Sequence, residues 1–284
     1  MLTASIVVYH TAEEELHRCL QSLLACEALR HVYVVDNGSE ERLRQFCARQ
    51  GERVSYRALP NVGYGAGHNS ALREVVEEKI DAPRYHLVIN SDVYFAPGTL
   101  ERIVEHMEGH PEVGQLIPKV YYPDGRLQHV CRMLPTPADL WLRRFMPRWM
   151  SRRRMERYTL AFTGYDHPMN VPYHMGCFMF LRVEALREVG LFDERFFMYP
   201  EDIDLTRRMH RCRETLYFPE VSIIHAHRAE SYKSRRMLRI HVVNMCRYFN
   251  KWGWLFDAER DRMNAQLMAR EKQYAQQKCE ATTP

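Results

Sequence analysis

Between Ser5 and Glu108 the chain repeats one rhythm, and that rhythm leaves few folds open. Short apolar, β-branched runs fall at Ser5 to Tyr9, Val32 to Val35, Val54 to Arg57 and Tyr85 to Ile89. Between them lie segments with helical spacing, the clearest being Leu16, Cys19, Leu20, Leu23 and Leu24 within Glu13 to Cys26. Helices are also expected around Glu41 to Arg49, Ser70 to Glu78 and Gly98 to Glu108. Strand, helix, strand at such intervals implies βαβ units: an α/β chain with a mostly parallel sheet flanked by helices. Ligands of such sheets bind beyond the carboxyl ends of the strands. Three polar clusters fall at such ends: Asp36 with Asn37, the glycine-rich loop Asn61 to Asn69, and Asn90-Ser91-Asp92.

The rhythm changes from Val113 to Tyr122, a strand-like segment before a turn at Pro123-Asp124-Gly125. Further on, Gly176 to Met209 reads as a strand, Phe178 to Val183, and a short helix, Glu184 to Val189, closed by Gly190. An aromatic loop, Leu191 to Tyr199, leads to Pro200 and the acids Glu201, Asp202 and Asp204. Proline fits a first helical turn, and carboxylates there complement the helix dipole. The same carboxylates also suit a catalytic base on the wall of a cleft. A strand from Leu216 to Ile224 ends at His225-Ala226-His227, whose two imidazoles share one face. A long helix is expected over Ser234 to Asn250, and the polar tail past about Arg270 is expected to fray.

Composition narrows the class. The 284 residues, 46% hydrophobic and 27% charged, allow one large domain or two small ones. No apolar run nears the roughly 20 residues of a membrane-spanning helix, and no secretory leader is expected. Eight cysteines without a CxxC pair suit the thiols of a cytosolic protein better than a disulfide framework or structural zinc. The net charge of +4 is mild, but seven arginines crowd between Arg143 and Arg157 beside Trp141, Phe145 and Trp149, with Pro147 splitting the segment into two helices. A solvated basic helix pair and a segment resting on anionic lipid headgroups both fit. No nucleic-acid-binding module accompanies the charges, so no nucleic-acid partner is expected.

Asp92, following a buried strand, is placed to hold a hard cation on a diphosphate, though Asn90-Ser91-Asp92 equally suits an ordinary turn. Asp36 either meets a ribose or base or caps the next helix. The loop Asn61 to Asn69 is not a dinucleotide fingerprint, because His68 stands where the third glycine would fall; its glycines still admit close backbone approach. His227 joins a metal site only if its strand end faces Asp92.

Taken in order, SIVVYH, VYVVDNGS, NVGYGAGHN, VINSD, GCFMFLRVEALREVGLFDERFFMYPEDIDLTRRM and HAHRAES resemble the family-2 glycosyltransferases of bacterial surface-polysaccharide synthesis, in their rhamnosyltransferase-like branch. The resemblance runs from about Leu2 to Ser231. It implies a GT-A fold over 1–232, with a nucleotide-sugar-binding half at 1–112, an acceptor and catalytic half at 113–232, and a C-terminal helical extension at 233–284. It implies inversion at the anomeric carbon, Mg²⁺ or Mn²⁺, a nucleotide-sugar donor such as dTDP-rhamnose or a UDP-hexose, and a glycan or lipid-linked glycan acceptor. Donor contacts carry over to Tyr9, Asp36, Asn61, Gly63, Asn69, Asn90, Ser91 and Asp92, and metal ligands to Asp92 and His227. Asp202 matches the general base, with Glu201 beside it, and the helix dipole is expected to hold the pKa of Asp202 low. Two departures stand out: Asn90 occupies the first position of the D-x-D-type motif, and Arg228-Ala229-Glu230 replaces the glycine that usually precedes the serine, here Ser231. The implied setting is the cytoplasm, peripheral on the inner membrane face through 141–157 and 233–254, with the oligomeric state left open. A non-catalytic sugar-binding protein on the same scaffold would be expected to lack Asp92 or Asp202. A nucleotidyltransferase would carry a basic, glycine-rich loop where Tyr9-His10-Thr11 stands.

Overall fold

The computed structural model describes residues 1–78, 82–139, 148–226 and 235–282. The expected alternation is realised as β1 (Leu2–Val8), α1 (Glu13–Leu24), β2 (Leu29–Asp36), α2 (Glu41–Ala48), β3 (Val54–Ala58), α3 (Tyr64–Glu77) and β4 (Tyr85–Ile89). Short β5 (Val93–Tyr94), helix α4 (Thr99–Gly109) and β6 (Val113–Tyr121) follow. The later half holds β7 (Cys131–Arg132), α5 (Arg148–Tyr158), β8 (Met169–Asn170), β9 (Tyr173–His174) and β10 (Phe178–Arg182). It ends with α6 (Val183–Val189), α7 (Pro200–His210), β11 (Glu214–His225), α8 (Arg235–Trp252) and α9 (Ala258–Thr282).

The main sheet runs β3-β2-β1-β4-β10-β6-β11-β5, with β8 against β11, and β7 and β9 form a separate ribbon. Strands β3, β2, β1 and β4 are parallel, as the βαβ rhythm requires. β10 enters antiparallel between β4 and β6. That reversal matters for function. The amino end of β10 lies at the edge where β4 ends, with Phe178 opposite Ile89 and Asn90 N–H bonded to the Cys177 carbonyl. The apolar faces of β1, β2 and β4 are fully buried under α1 and α2 on one side, and α3, α6 and α7 close a second cluster around Leu72, Met179, Leu186 and Leu205.

Two expectations change. Helix α3 starts at Tyr64, so the glycines lie in its first turns, where Gly65 and Gly67 pack against Phe192 and Val7. The tail does not fray at Arg270: α9 continues to Thr282, fastened by Glu271 on His167, Lys278 on Asp166, and the Tyr274 ring stacked 3.6 Å from that of His167. Of the arginine-rich segment, residues 140–147 lie outside the described residues, and α5 follows directly after Pro147.

Candidate active site

The site forms where β2 and β4 end and β10, α3 and α7 begin. Asp92 sits between β4 and β5. β5 pairs with β11 so that His225 lies opposite Val93. His225 Nε2 is thereby 3.3 Å from Asp92 Oδ1, while its Nδ1 meets Gln128 Oε1 at 2.7 Å. Burial disfavours the imidazolium, but Cys177 and Asp92 outweigh it and lift the His225 pKa to about 10. Among the described residues the histidine that faces Asp92 is His225. His227 lies outside the described residues.

Across the cleft, Pro200 opens α7 and Glu201 and Asp202 occupy its first turn. Asp202 Oδ2 accepts the Gly176 N–H at 3.0 Å and Oδ1 accepts its neighbour Ile203 N–H at 2.8 Å. Gly176 permits this approach, since a Cβ there would stand 3.1 Å from Asp202 Cβ. Burial lifts Asp202 to about 7, against the pull of those two N–H groups and Arg132. The helix N-terminus was expected to keep it low; desolvation wins. Glu201 is pushed well above its ordinary range, first by burial and then by Asp202, so it is the neutral member of the pair.

Tyr64 joins the two walls. Its hydroxyl lies 3.0 Å from Asn90 Oδ1 and 2.7 Å from the Gly176 carbonyl oxygen. Burial, then Glu201, Cys177, Asp202 and Asp92, push its pKa far up, so it stays a neutral donor. The charges of Asp92 and Asp202 thus both bear on this hydroxyl, which itself bonds Asn90 and the Gly176 carbonyl.

The remaining sequence candidates divide. Asp36 is fully buried and accepts from Gly38 N–H, Glu40 N–H and the Tyr56 hydroxyl, so it braces the loop ahead of α2, whose N-cap residue is Glu40. Asn69 is buried with its amide engaged by Phe192 and Glu194, so it ties α3 to the aromatic loop. Gly63 has φ +92°, and a Cβ there would meet the Phe197 carbonyl at 2.2 Å. Asn61 accepts the Gly63 N–H, Ser91 donates to Glu15, and Tyr9 lies exposed just past β1.

A family model for glycosyl transferase family 2 matches residues 5–190. The chain belongs to that family. This glycosyltransferase is 31% identical to an N-acetylglucosaminyl-diphospho-decaprenol L-rhamnosyltransferase of Mycobacterium tuberculosis, over 80% of this chain and 76% of that one. Rhamnosyltransferase WbbL of Escherichia coli K12 is 24% identical over 92% of this chain and 97% of its own. Among solved structures, GalNAc-T7 with UDP, GalNAc and Mn²⁺ superposes with a TM-score of 0.58 at 13% identity, over 81% of this chain. The transferase spans only 44% of that protein, and the likeness concerns the GT-A fold alone.

Among the described residues no three His, Cys, Asp or Glu side chains converge on one point. The pair Asp92 and His225 nonetheless suits a divalent cation, which would have to displace the Nε2 proton that the raised pKa otherwise keeps on His225; such ions take one or two protein ligands and fill the rest with phosphate and water. The Gln128 contact to Nδ1 fixes the ring with Nε2 toward Asp92, the outer-shell arrangement of ligating histidines. The sequence reading weighed His225 only as half of a pair and missed Tyr64, Gln128, Gly176 and Arg132. Gly176 opened the resembling stretch and was legible as a close-approach site. Tyr64 and Arg132 carry no local signal.

Proposed function

We propose that the glycosyltransferase moves L-rhamnose from a nucleotide-diphosphate donor to a hydroxyl of a lipid-diphosphate-linked glycan, with inversion. The observation that carries this reading is a half-buried carboxylate, Asp202, with a pKa of about 7, across one tyrosine hydroxyl from Asp92. Asp202 accepts the acceptor's proton as that oxygen attacks the anomeric carbon. The bond to the donor diphosphate breaks on the opposite face, and the diphosphate keeps its electron pair. A base of this kind contributes roughly 10²–10⁴-fold. Gly176 N–H and Ile203 N–H hold the carboxylate in place. Mg²⁺ or Mn²⁺ at Asp92 and His225 would supply positive charge to the departing diphosphate. The names of the two relatives support the sugar and the lipid-linked acceptor.

An acceptor of this kind lies at a membrane. Among the described residues no helix is long and apolar enough to cross one. Exposed Trp149, Arg152, Arg153 and Arg157 on α5 support a peripheral placement on anionic lipid at the cytoplasmic face. The deciding experiment supplies an N-acetylglucosaminyl-diphospho-prenol acceptor and a panel of nucleotide sugars, and follows nucleoside diphosphate release with Mg²⁺, Mn²⁺ or EDTA. Release from dTDP-rhamnose that EDTA abolishes is the expected result. Release from no donor, together with no shift in melting temperature by any, sinks the reading.

A further inference from the structure

Strand β7 ends in a cation without an anion. Arg132 is half-buried, and its Nε is buried with no hydrogen-bond partner. One Nη lies 3.1 Å from Met175 Sδ, a weak acceptor, and the guanidinium carbon stands 5.7 Å from the centre of the Tyr173 ring. Among the described residues no carboxylate forms an ion pair with it. Asp202 acts on it from farther off, with both its own oxygens bonded to backbone N–H groups. Two guanidiniums on α7 are treated differently. Arg207 is held by Asp257 and Glu259, and Arg208 by Asp204.

A guanidinium cannot escape its cost by losing a proton. Left unpaired in a half-buried pocket it destabilises the fold, so an anion that arrives with substrate is its natural complement. Guanidinium and phosphate match as two parallel N–H···O bonds. The position says which phosphate. Arg132 pairs across the ribbon with Tyr173, Met175 N–H bonds the Val130 carbonyl, and the next residue, Gly176, holds Asp202. The cation therefore stands on the wall of the base, where the acceptor hydroxyl must come. We infer that Arg132 is the anion-binding residue of the acceptor subsite and grips a phosphate of the lipid diphosphate. This rests on the lipid-diphosphate reading of the acceptor given above.

The test compares wild type, R132Q and R132K by calorimetric titration with farnesyl diphosphate, UDP and dTDP, together with melting temperatures. For R132Q, farnesyl diphosphate affinity should fall roughly 10- to 100-fold, with partial recovery in R132K. UDP and dTDP should stay within about two-fold, and the melting temperature should hold or rise, because the variant removes an unpaired charge. Loss confined to UDP and dTDP would assign Arg132 to the donor diphosphate and overturn the acceptor placement. Unchanged affinities with a lowered melting temperature would make it a structural residue and overturn the inference outright, as would a wild type that does not bind farnesyl diphosphate. None of these titrations requires turnover. A failure here is therefore separable from a failure of the donor screen.

Discussion

At the scale of single residues, Asp202 sets two effects against each other. It sits in a first helical turn, where the dipole favours its charge, yet burial lifts it to about 7. In the proposed mechanism the ionised form is the base, so kcat/KM should fall as pH drops below about 7 and level off above it. A pH–rate profile that stays flat down to pH 5 would remove Asp202 from the role. The stability consequence has the opposite sense. A carboxyl whose folded pKa is raised binds its proton more tightly in the fold, so it contributes stability at low pH that is lost as pH rises through about 7. Asp202→Asn should therefore abolish about 10²–10⁴-fold of turnover while nucleoside diphosphate binding persists and the melting temperature at pH 8 holds or rises. A variant that turns over normally places the base elsewhere.

At the scale of elements, the turn that carries Glu201 and Asp202 is held from behind by the C-terminal helices. Arg207 on α7 meets Asp257 through two bonds of 2.7 and 2.6 Å and lies over the Trp252 ring at 4.1 Å. Fully buried Asp204 takes Lys251 and the Trp252 indole N–H from α8. Asn244 of α8 bonds the Met198 carbonyl just before Tyr199, a non-glycine residue at φ +97° that immediately precedes Pro200. Replacing Arg207 with alanine leaves Asp257 short of its counter-charge. Breaking such a pair costs about 3–5 kcal/mol, so the melting temperature should fall by roughly 10 °C, which calorimetry would read. Gly63→Ala should also be costly, because its Cβ would strike the Phe197 carbonyl at a strained φ. The βαβ half was legible because β-branched runs and 3.6-residue stripes are local signals. The start of α3 was not, because glycine is a poor helix former and the packing that overrides it comes from Phe192, over a hundred residues away. The α9 tail was missed for the same kind of reason: its anchors, His167 and Asp166, are 104 and 112 residues distant from their partners. Asp92 and Asp202 could be read from the sequence as types in a pattern, but their union through Tyr64 depends on the reversal of β10.

At the scale of the whole molecule, the proposed reaction joins a water-soluble donor to an acceptor whose tail stays in lipid, so an enzyme that carries it out has to reach a bilayer surface. The net charge of +4 is too small to do this by itself. What remains is local. Basic α5 exposes Arg152, Arg153 and Arg157, and the start of α8 exposes Arg236 and Arg239. Apolar side chains stand out into solvent at Trp149 (79%), Leu255 (74%) and Phe256 (94%), the last two on the turn between α8 and α9. Basic groups attract anionic headgroups by about 1 kcal/mol each near the surface, and exposed aromatics add their own insertion. The two contributions separate by salt. Flotation with vesicles containing phosphatidylglycerol should capture the protein at low ionic strength and release much of it at high salt, where the charges are screened. Leu255→Ser with Phe256→Ser should weaken capture at both, because what it removes is apolar contact. If the wild type fails to float with anionic vesicles at low salt, these surfaces face something other than lipid. The acceptor would then have to be presented to Asp202 in solution.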